Sequence, residues 1–190
     1  MNSPYKNKFK VTQIYKGASH DGLDLVGIDD KNIYSTVNGI VERAGWENPL
    51  DKSQGFGLYV RIKEENSADR YYFGHLSVLK VKIGQIVKSG DIIGIEGSTG
   101  NSTGAHCHYC ARTDASKTRF LDIPKISGIP NKTGTYDNTQ PTFYLVKKSW
   151  KNATIYRTKY ITQAKIMARR YGYVVYNEQG KTIYSYRKED

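Results

Sequence analysis

From residue 33 to residue 112 the sequence is a series of short β-forming segments separated by turns that contain glycine. Six segments rich in β-branched and aromatic residues follow one another: IYSTV, GIVERAGW, FGLYVRIKEE, RYYFGHLSV, GDIIGIEG and HCHYCAR. Turn residues such as those in VNG, KIG and KSG lie between them. Because no helical period occurs in this span, we predict an all-β domain, a sandwich or barrel of antiparallel strands.

The pattern changes after this domain. Residues 123–141, IPKISGIPNKTGTYDNTQP, hold three of the five prolines, which predicts a linker between a domain of residues 1–122 and a module of residues 142–190. In the module, FYLVKKSW predicts a strand, and YVVYNEQGKTIYSY predicts a hairpin around NEQG. Helical spacing between them predicts a helix that ends at Gly172 and has one apolar face: Ile161, Ala164, Met167, Ala168 and Tyr171. The module is therefore predicted to be small and α+β.

Positive charge is concentrated in the C-terminal module. The formal net charge of the chain is +11, and residues 141–190 hold 11 basic and 3 acidic residues. This asymmetry indicates a module that binds a polyanion, and its tyrosines could stack on sugars. A solvated basic face without a ligand is the alternative. The interleaved Lys, Arg and Tyr of residues 143–188 also suggest nucleic acid, but nothing in the N-terminal domain requires that partner, so none is expected.

Two further features bound the location and redox chemistry. No apolar run is long enough to span a membrane, and the N-terminus lacks the apolar stretch of a signal peptide, so we expect a chain made in the cytoplasm. Cys107 and Cys110 are too few for a disulfide scaffold, and strand alternation would place them on opposite faces. A redox role for this CxxC pair is disfavoured, because redox CxxC pairs stand at the start of a helix, whereas this pair lies among aromatic and histidine residues.

Three of the four histidines lie in two short stretches, ASHDGLDLVG and TGAHCHYCAR. On a strand, His20 and Asp24 point to one face, and Gly22 between them adds no side chain. His106 and His108 share a face by the same argument. Two imidazoles and one carboxylate, from His20, Asp24 and one of the later pair, would form a three-ligand zinc site with an open fourth position. Each motif alone is as compatible with surface or capping groups.

Together these stretches resemble a known family. HDGLDLVG, GHLS and GQIVKSGDIIGIEGSTGNSTGAHCHY are similar to the M23 family of zinc metallopeptidases, the lysostaphin and LytM type of peptidoglycan endopeptidase, over residues 15 to 112. The resemblance implies an antiparallel β-sandwich or barrel of the LytM type and one Zn²⁺. It assigns the metal to His20, Asp24 and His108.

The resemblance also implies that His75 and His106 stay off the metal and act as catalytic residues beside the open position. Tyr15 lies near the place where family members often carry a tyrosine that stabilises the transition state. A packing or surface tyrosine is the alternative. The sequence departs from the family after the HxH motif, where Phe and then Glu or Gln are usual, because Tyr109 and Cys110 stand there. We expect Cys110 to be a packing residue or a neighbour of the site.

The function implied is hydrolysis of a peptide bond in the stem or cross-bridge of bacterial peptidoglycan, leading to lysis. The module of residues 142–190 resembles small terminal modules of lysins from Gram-positive bacteria and their phages, which suggests binding to the wall and its anionic polymers. Without a signal peptide, a phage or prophage endolysin released by a holin fits best. A non-catalytic M23-like wall-binding or regulatory protein is the alternative. The bond that is cut stays open between glycine bridges and D-alanyl bonds.

Overall fold

A computed structural model describes residues 2–114, 118–138, 144–149, 151–158, 161–176, 180 and 182–185. The chain divides into two compact units, Met1–Thr139 and Gln140–Asp190. The first unit contains eleven strands, β1 to β11, in its described residues: Lys8–Gln13, Gly22–Gly27, Asn32–Tyr34, Gly39–Trp46, Leu58–Glu64, Asp69–Gly74, Val78–Leu79, Ile86–Val87, Ile92–Ile95, Cys107–Thr113 and Gly134–Asp137. A 3-10 turn, Gly17–Ser19, and a short helix α1, Ile123–Ser127, complete it.

The strands of the first unit form two antiparallel sheets. The larger sheet has eight strands in the order β11-β1-β2-β10-β6-β5-β4-β8, and the smaller sheet has three in the order β3-β9-β7. The fold is therefore mainly β, as predicted. Each of the six predicted β segments overlaps a strand.

Strand alternation gives the large sheet two chemically different faces. On β10, Cys107, Tyr109 and Ala111 are fully buried in the main apolar core. His108 and Cys110 point to the opposite face, where Cys110 packs with Tyr59 and Tyr72. The two thiols are free and lie on opposite faces, as the sequence predicted. One face thus supplies the core of the unit, and the other is available for polar chemistry.

The register of the central strands brings the histidine motifs together. His108 on β10 lies opposite Asp24 on β2 and opposite Gly74 on β6. Residues directly opposite each other in an antiparallel pair project from the same face, so this register alone places Asp24 beside His108. His75 follows β6 directly and has a left-handed backbone with a φ of 61°.

The predicted linker is partly ordered structure of the first unit. Asp122 caps α1 by accepting a hydrogen bond from the backbone of Lys125, and Ile123 and Ile129 are buried in the core. β11 then pairs with β1 at the edge of the large sheet. The prolines and glycines that suggested a linker are turn residues between these short elements. The prediction missed that two isoleucines in this segment are core residues.

The second unit is a four-stranded antiparallel sheet with one helix. Its strands β12 to β15 and helix α2 have these bounds: Tyr144–Lys147, Tyr156–Thr158, Val174–Tyr176, Thr182–Ser185 and Ile161–Tyr171. The sheet order is β13-β12-β14-β15. Its core consists of Val146, Ala164, Ala168 and Val175.

Three sequence expectations for the second unit can be compared with this structure. The helix ends at Gly172, whose φ of 67° is the left-handed conformation expected there. β14 and β15 pair as the predicted hairpin, although residues 177–179 of its turn lie outside the described residues. Tyr171, predicted on the apolar face, is 48% exposed. β13 was not predicted.

Among the described residues, no helix has the length and apolarity needed to cross a bilayer.

Candidate active site

An open cleft of about 480 Å³ lies on the polar face of the large sheet. All four histidines line it, together with Asp21, Asp24 and Arg112. Other lining residues are Glu47, Gly55, Phe56, Asn101, Ser102 and Thr103. The structure brings the histidine motifs together in one cleft, although His75, His106 and His108 are 55 to 88 residues away from His20 in the sequence.

Asp24 stands at the centre of this cluster. Its Oδ1 atom lies 2.8 Å from His108 Nδ1, 3.2 Å from His20 Nε2 and 3.6 Å from His106 Nε2. Burial by itself would raise the pKa of Asp24, but the adjacent imidazoles of His108 and His20 outweigh it and hold the pKa below its usual range. Asp24 is therefore an anion with imidazole nitrogens around one oxygen.

His20 reaches this carboxylate from outside the strand. It follows the 3-10 turn Gly17–Ser19 in an extended conformation, and its Nδ1 lies 2.7 Å from the carbonyl oxygen of Ile14. Because a carbonyl can only accept, Nδ1 carries the proton and donates it. The lone pair is then on Nε2, the atom that faces Asp24.

Gly22 makes room for the ring of His108. A Cβ atom at Gly22 would lie 2.8 Å from His108 Nε2, 2.6 Å from the carbonyl oxygen of Tyr109 and 2.9 Å from Cys110 Cβ. Such separations are shorter than carbon contacts allow. The crowding at Gly22 comes from the neighbouring strand β10. A side chain at this position would therefore collide with β10 and with the ring of His108.

His75 and His106 form a second pair of rings near Asp24. Their ring centroids are 4.6 Å apart. His75 Nδ1 lies 2.8 Å from the carbonyl oxygen of Thr99, and His106 Nδ1 lies 2.7 Å from that of Gly104. Both rings therefore donate through Nδ1 and carry a lone pair on Nε2. Burial lowers the pKa of His75 to about 4, so this ring is neutral at neutral pH.

Two residues of the cleft were not singled out from the sequence. Asp21 lies 3.1 Å from His108 Nε2 through its Oδ1, and Arg112 donates to Asp21 Oδ2 from Nε and Nη2 at 3.1 and 2.7 Å. Burial opposes ionisation of Asp21, but these hydrogen bonds keep its pKa below the usual range. Strand alternation from His108 to Arg112 on β10 was the signal that could have identified Arg112. Asp21 depends on a contact between strands that spacing does not reveal.

Tyr15 is not among the residues that line the cleft. Its backbone exchanges two hydrogen bonds with the side chain of Asn131, at 2.9 and 3.1 Å, and its half-buried ring packs against the main core. Tyr15 thus makes packing contacts in this structure, and its catalytic role stays a prediction from the sequence.

The donor set at Asp24 fits a zinc ion. One ligand atom each from His20, Asp24 and His108 can be chosen so that all three lie within 4.8 Å of one another. Two imidazole nitrogens and a carboxylate oxygen are common zinc ligands, and tetrahedral bonds of about 2.0–2.1 Å place neighbouring donors about 3.4 Å apart. The distances of 3.2 and 2.8 Å from Asp24 Oδ1 to the nitrogens of His20 and His108 are close to this donor–donor distance.

A second group of possible metal ligands shares one residue with the first: Asp21, His108 and Cys110. It fits a cation less well. The guanidinium of Arg112 already neutralises Asp21. Burial raises the pKa of the Cys110 thiol, which would have to lose its proton to bind a metal.

The sequence is similar to those of known peptidases. Lysostaphin from Staphylococcus simulans is 30% identical over 147 residues, which cover 75% of this chain and 28% of lysostaphin. The glycyl-glycine endopeptidase ALE-1 from Staphylococcus capitis is 34% identical over 108 residues, 57% of this chain and 28% of that protein. The alignments thus span less than a third of the length of these relatives.

Solved structures of M23 peptidases are also similar to this chain. The catalytic domain of the antimicrobial peptidase lysostaphin from Staphylococcus simulans aligns with a TM-score of 0.52 at 29% identity, covering 65% of this chain and 92% of that one. A prophage-encoded M23 protein, EnpA from Enterococcus faecalis, aligns with a TM-score of 0.51 at 27% identity, covering 63% of this chain and 93% of that one. The model of peptidase family M23 matches residues 18–120, the segment that contains all four histidines of the cleft. This chain therefore belongs to peptidase family M23.

Proposed function

We propose that this protein is a zinc-dependent endopeptidase that hydrolyses a peptide bond in the stem or cross-bridge of bacterial peptidoglycan. The observation that carries the proposal is the cleft, where a three-donor group, His20, Asp24 and His108, lies beside two further imidazoles. Among the relatives, ALE-1 is a glycyl-glycine endopeptidase, and ShyC from Vibrio cholerae, 36% identical over 116 residues, is a peptidoglycan DD-endopeptidase. Their substrates support peptidoglycan as the substrate class.

In this proposal His20 and His108 hold the ion through Nε2 and Nδ1, and Asp24 holds it through a carboxylate oxygen. When bound, zinc supplies a Lewis acid that polarises the scissile carbonyl and lowers the pKa of a water molecule. Three ligands from the chain leave a position for substrate and water, as in catalytic rather than structural zinc sites.

The two remaining histidines supply proton transfer. His75 and His106 are oriented by the carbonyls of Thr99 and Gly104, so each presents an unprotonated Nε2. A neutral imidazole can accept a proton from the attacking water and return it to the leaving amine. Once protonated, the same group can donate a hydrogen bond to the oxyanion. Tyr15 packs against the core and is given no part in these steps.

The second unit is proposed to hold the enzyme on the wall. Residues 142–190 carry most of the net positive charge of the chain. Lys165 and Arg169 on α2 lie over the ring of Tyr184 at 5.5 and 5.7 Å, which gathers cationic groups and an aromatic ring on one surface. Such a surface suits anionic wall polymers. Action on the bacterial wall as a phage or prophage endolysin, with release by a holin, stays a prediction from the sequence.

The experiment that tests the function is digestion of purified Gram-positive sacculi by the full chain, followed by mass spectrometry of the released fragments. New amino termini that disappear with a chelator and return with added zinc would support the proposal and identify the bond. A folded, zinc-loaded protein that releases nothing from several wall chemotypes would contradict it, and would favour the non-catalytic alternative. Retention of every expected histidine and of Asp24 argues against that alternative.

A matched variant separates catalysis from metal binding. Asn is the best replacement for His75 because Asn tolerates the left-handed backbone that His75 adopts. We expect His75→Asn to keep zinc and to lose about 10²- to 10⁴-fold in kcat, the usual contribution of proton transfer by a side chain. His108→Asn should lose zinc as well. Equal zinc loss in the two variants would contradict the division of roles.

A further inference from the structure

His108 is held between two carboxylates, one at each ring nitrogen. Nδ1 lies 2.8 Å from Asp24 Oδ1, and Nε2 lies 3.1 Å from Asp21 Oδ1. The ring is almost fully buried, with 8% of the side chain exposed. It is also packed by the ring of Phe56, whose centroid is 5.6 Å away. The orientation of this imidazole is therefore determined by charged groups as well as by packing.

Asp21 is itself fixed on both oxygens. Oδ1 faces His108, and Oδ2 accepts hydrogen bonds from Nε and Nη2 of Arg112. The guanidinium lies over the rings of Tyr72 and Phe56, at 4.9 and 5.4 Å. Since an arginine that is stacked and doubly bonded has little freedom, Asp21 has one position in which it can meet His108.

The chemistry of a neutral imidazole makes this contact consequential. The ring has one N–H and one lone pair, and only the nitrogen with the lone pair can bind a metal. If Asp21 accepts the proton of Nε2, the lone pair of His108 is on Nδ1, the nitrogen that faces Asp24. With the opposite tautomer, Nδ1 would carry a proton and could not be a ligand.

We propose that Asp21, held by Arg112, is a positioning residue that fixes the tautomer and orientation of His108 as a metal ligand. The inference rests on the proposed function only in that it takes His108 to be a zinc ligand. Carboxylates that accept from the free N–H of ligating histidines act in this way in metal sites generally, and their loss weakens metal binding. Asp21 lies within the HDGLDLVG motif but is given no role by the resemblance, and Arg112 lies outside the motifs.

A rival use of the same atoms is a second metal site. Asp21, His108 Nε2 and Cys110 also group closely enough to hold an ion. The two uses exclude each other, because Nε2 either carries a proton for Asp21 or offers a lone pair to the second ion. Metal stoichiometry distinguishes them: one ion per chain for the positioning role, two for the rival.

The test measures zinc affinity by competition with a chromophoric chelator and records the visible absorption spectrum of the Co²⁺-substituted full chain. Asp21→Ala should bind zinc about 10- to 100-fold more weakly than the unmodified chain. Its Co²⁺ bands should shift because the His108 ring is no longer held. Asp21→Asn, which keeps an oxygen acceptor for the Nε2 proton, should lie between the two.

Glu42→Gln is the matched control. Glu42 is a partly buried carboxylate that pairs with two guanidinium groups, Arg61 and Arg70, at 3.1 Å each, but it does not line the cleft. This variant should keep the zinc affinity and the Co²⁺ spectrum of the unmodified chain.

Two results would overturn the inference. The first is a folded Asp21→Ala chain whose affinity and spectrum match those of Glu42→Gln, because Asp21 would then be only structural. The second is binding of two ions per chain that falls to one in Cys110→Ser. The readouts do not require hydrolysis, so zinc binding that depends on Asp21 without wall cleavage would contradict the proposed function and leave this inference standing.

Discussion

Glycine at position 22 connects the sequence motif to the site more directly than any other residue. The motif HDGLD needs a glycine because β10 runs antiparallel directly beside it, with Cys110 opposite Gly22. The atoms nearest to a new Cβ would include Nε2 of His108. A side chain at this position would thus disturb the pairing of β2 with β10 and displace a proposed metal ligand, His108.

Gly22→Ala should therefore destabilise the protein by about 1 to 3 kcal/mol, the usual cost of overpacking a well-packed site, and should reduce its zinc content. Chemical denaturation and metal analysis of the purified chain measure the two effects. Gly45→Ala is the control, because Gly45 also lies in a strand but has no atom within 4 Å of an added Cβ. If both variants behave alike, the crowding at Gly22 is not what the motif requires.

At the scale of single elements, α1 and its neighbours show why a core can include a segment that looks like a linker. Ile123 in α1 is fully buried, whereas Ile126 in the same helix is 45% exposed. Because they are three residues apart in the helix, the two side chains project in directions that differ by about 60°, and only that of Ile123 reaches the core. The helix is thus a short cover on the core of the first unit.

We expect Ile123→Ala to lower the free energy of unfolding by about 2 to 5 kcal/mol, since it leaves a cavity in the core. Ile126→Ala should change it by less than about 0.5 kcal/mol, as exposed substitutions usually do. Urea unfolding of both variants gives the comparison directly. A small effect at Ile123 would support the linker predicted from the sequence.

Strand β6 offers a pH-dependent test of burial. Tyr71 faces the core, opposite Ile62 on β5, and burial, with the nearby carboxylates of Glu64 and Asp69, raises the pKa of its phenol to about 12. An unfolded tyrosine ionises near pH 10, so the contribution of this group to stability is complete below that pH and is lost between about pH 10 and 12. Tyr71→Phe should make stability decline less steeply over this window. An unchanged slope would show that Tyr71 ionises as freely in the folded protein.

The strands and the histidine cluster could be predicted from the sequence because local signals specify them. Alternating β-branched residues mark the strands, and the motifs around His20, His75 and His106 are short and contiguous. Ile123 could not be identified as a core residue because its burial depends on a sheet formed by distant segments. The pairing of Asp21 with His108 and Arg112 escaped prediction for the same reason, as it depends on the register between β2 and β10.

For the whole molecule, the distribution of charge and the division into two units coincide. The unit Met1–Thr139 contains the cleft and the main core, and the unit Gln140–Asp190 has its own small core and most of the net positive charge. If each unit carries one function, hydrolysis and wall attachment should separate when the chain is cut between them. A small substrate would depend on the first unit alone, whereas an insoluble wall would depend on both.

A chain that ends at residue 139 should thus cleave a soluble cross-linked muropeptide with a kcat/KM within about twofold of the full chain. Its binding to purified sacculi in co-sedimentation should be much weaker. For the full chain, binding should fall as NaCl is raised towards 1 M, because the Debye length shrinks from about 8 Å at physiological ionic strength to about 3 Å. The shortened chain should show little of this salt dependence. Equal, salt-insensitive binding by both chains would contradict a wall-binding role for residues 142–190, while loss of soluble activity on shortening would instead show that the second unit contributes to hydrolysis itself.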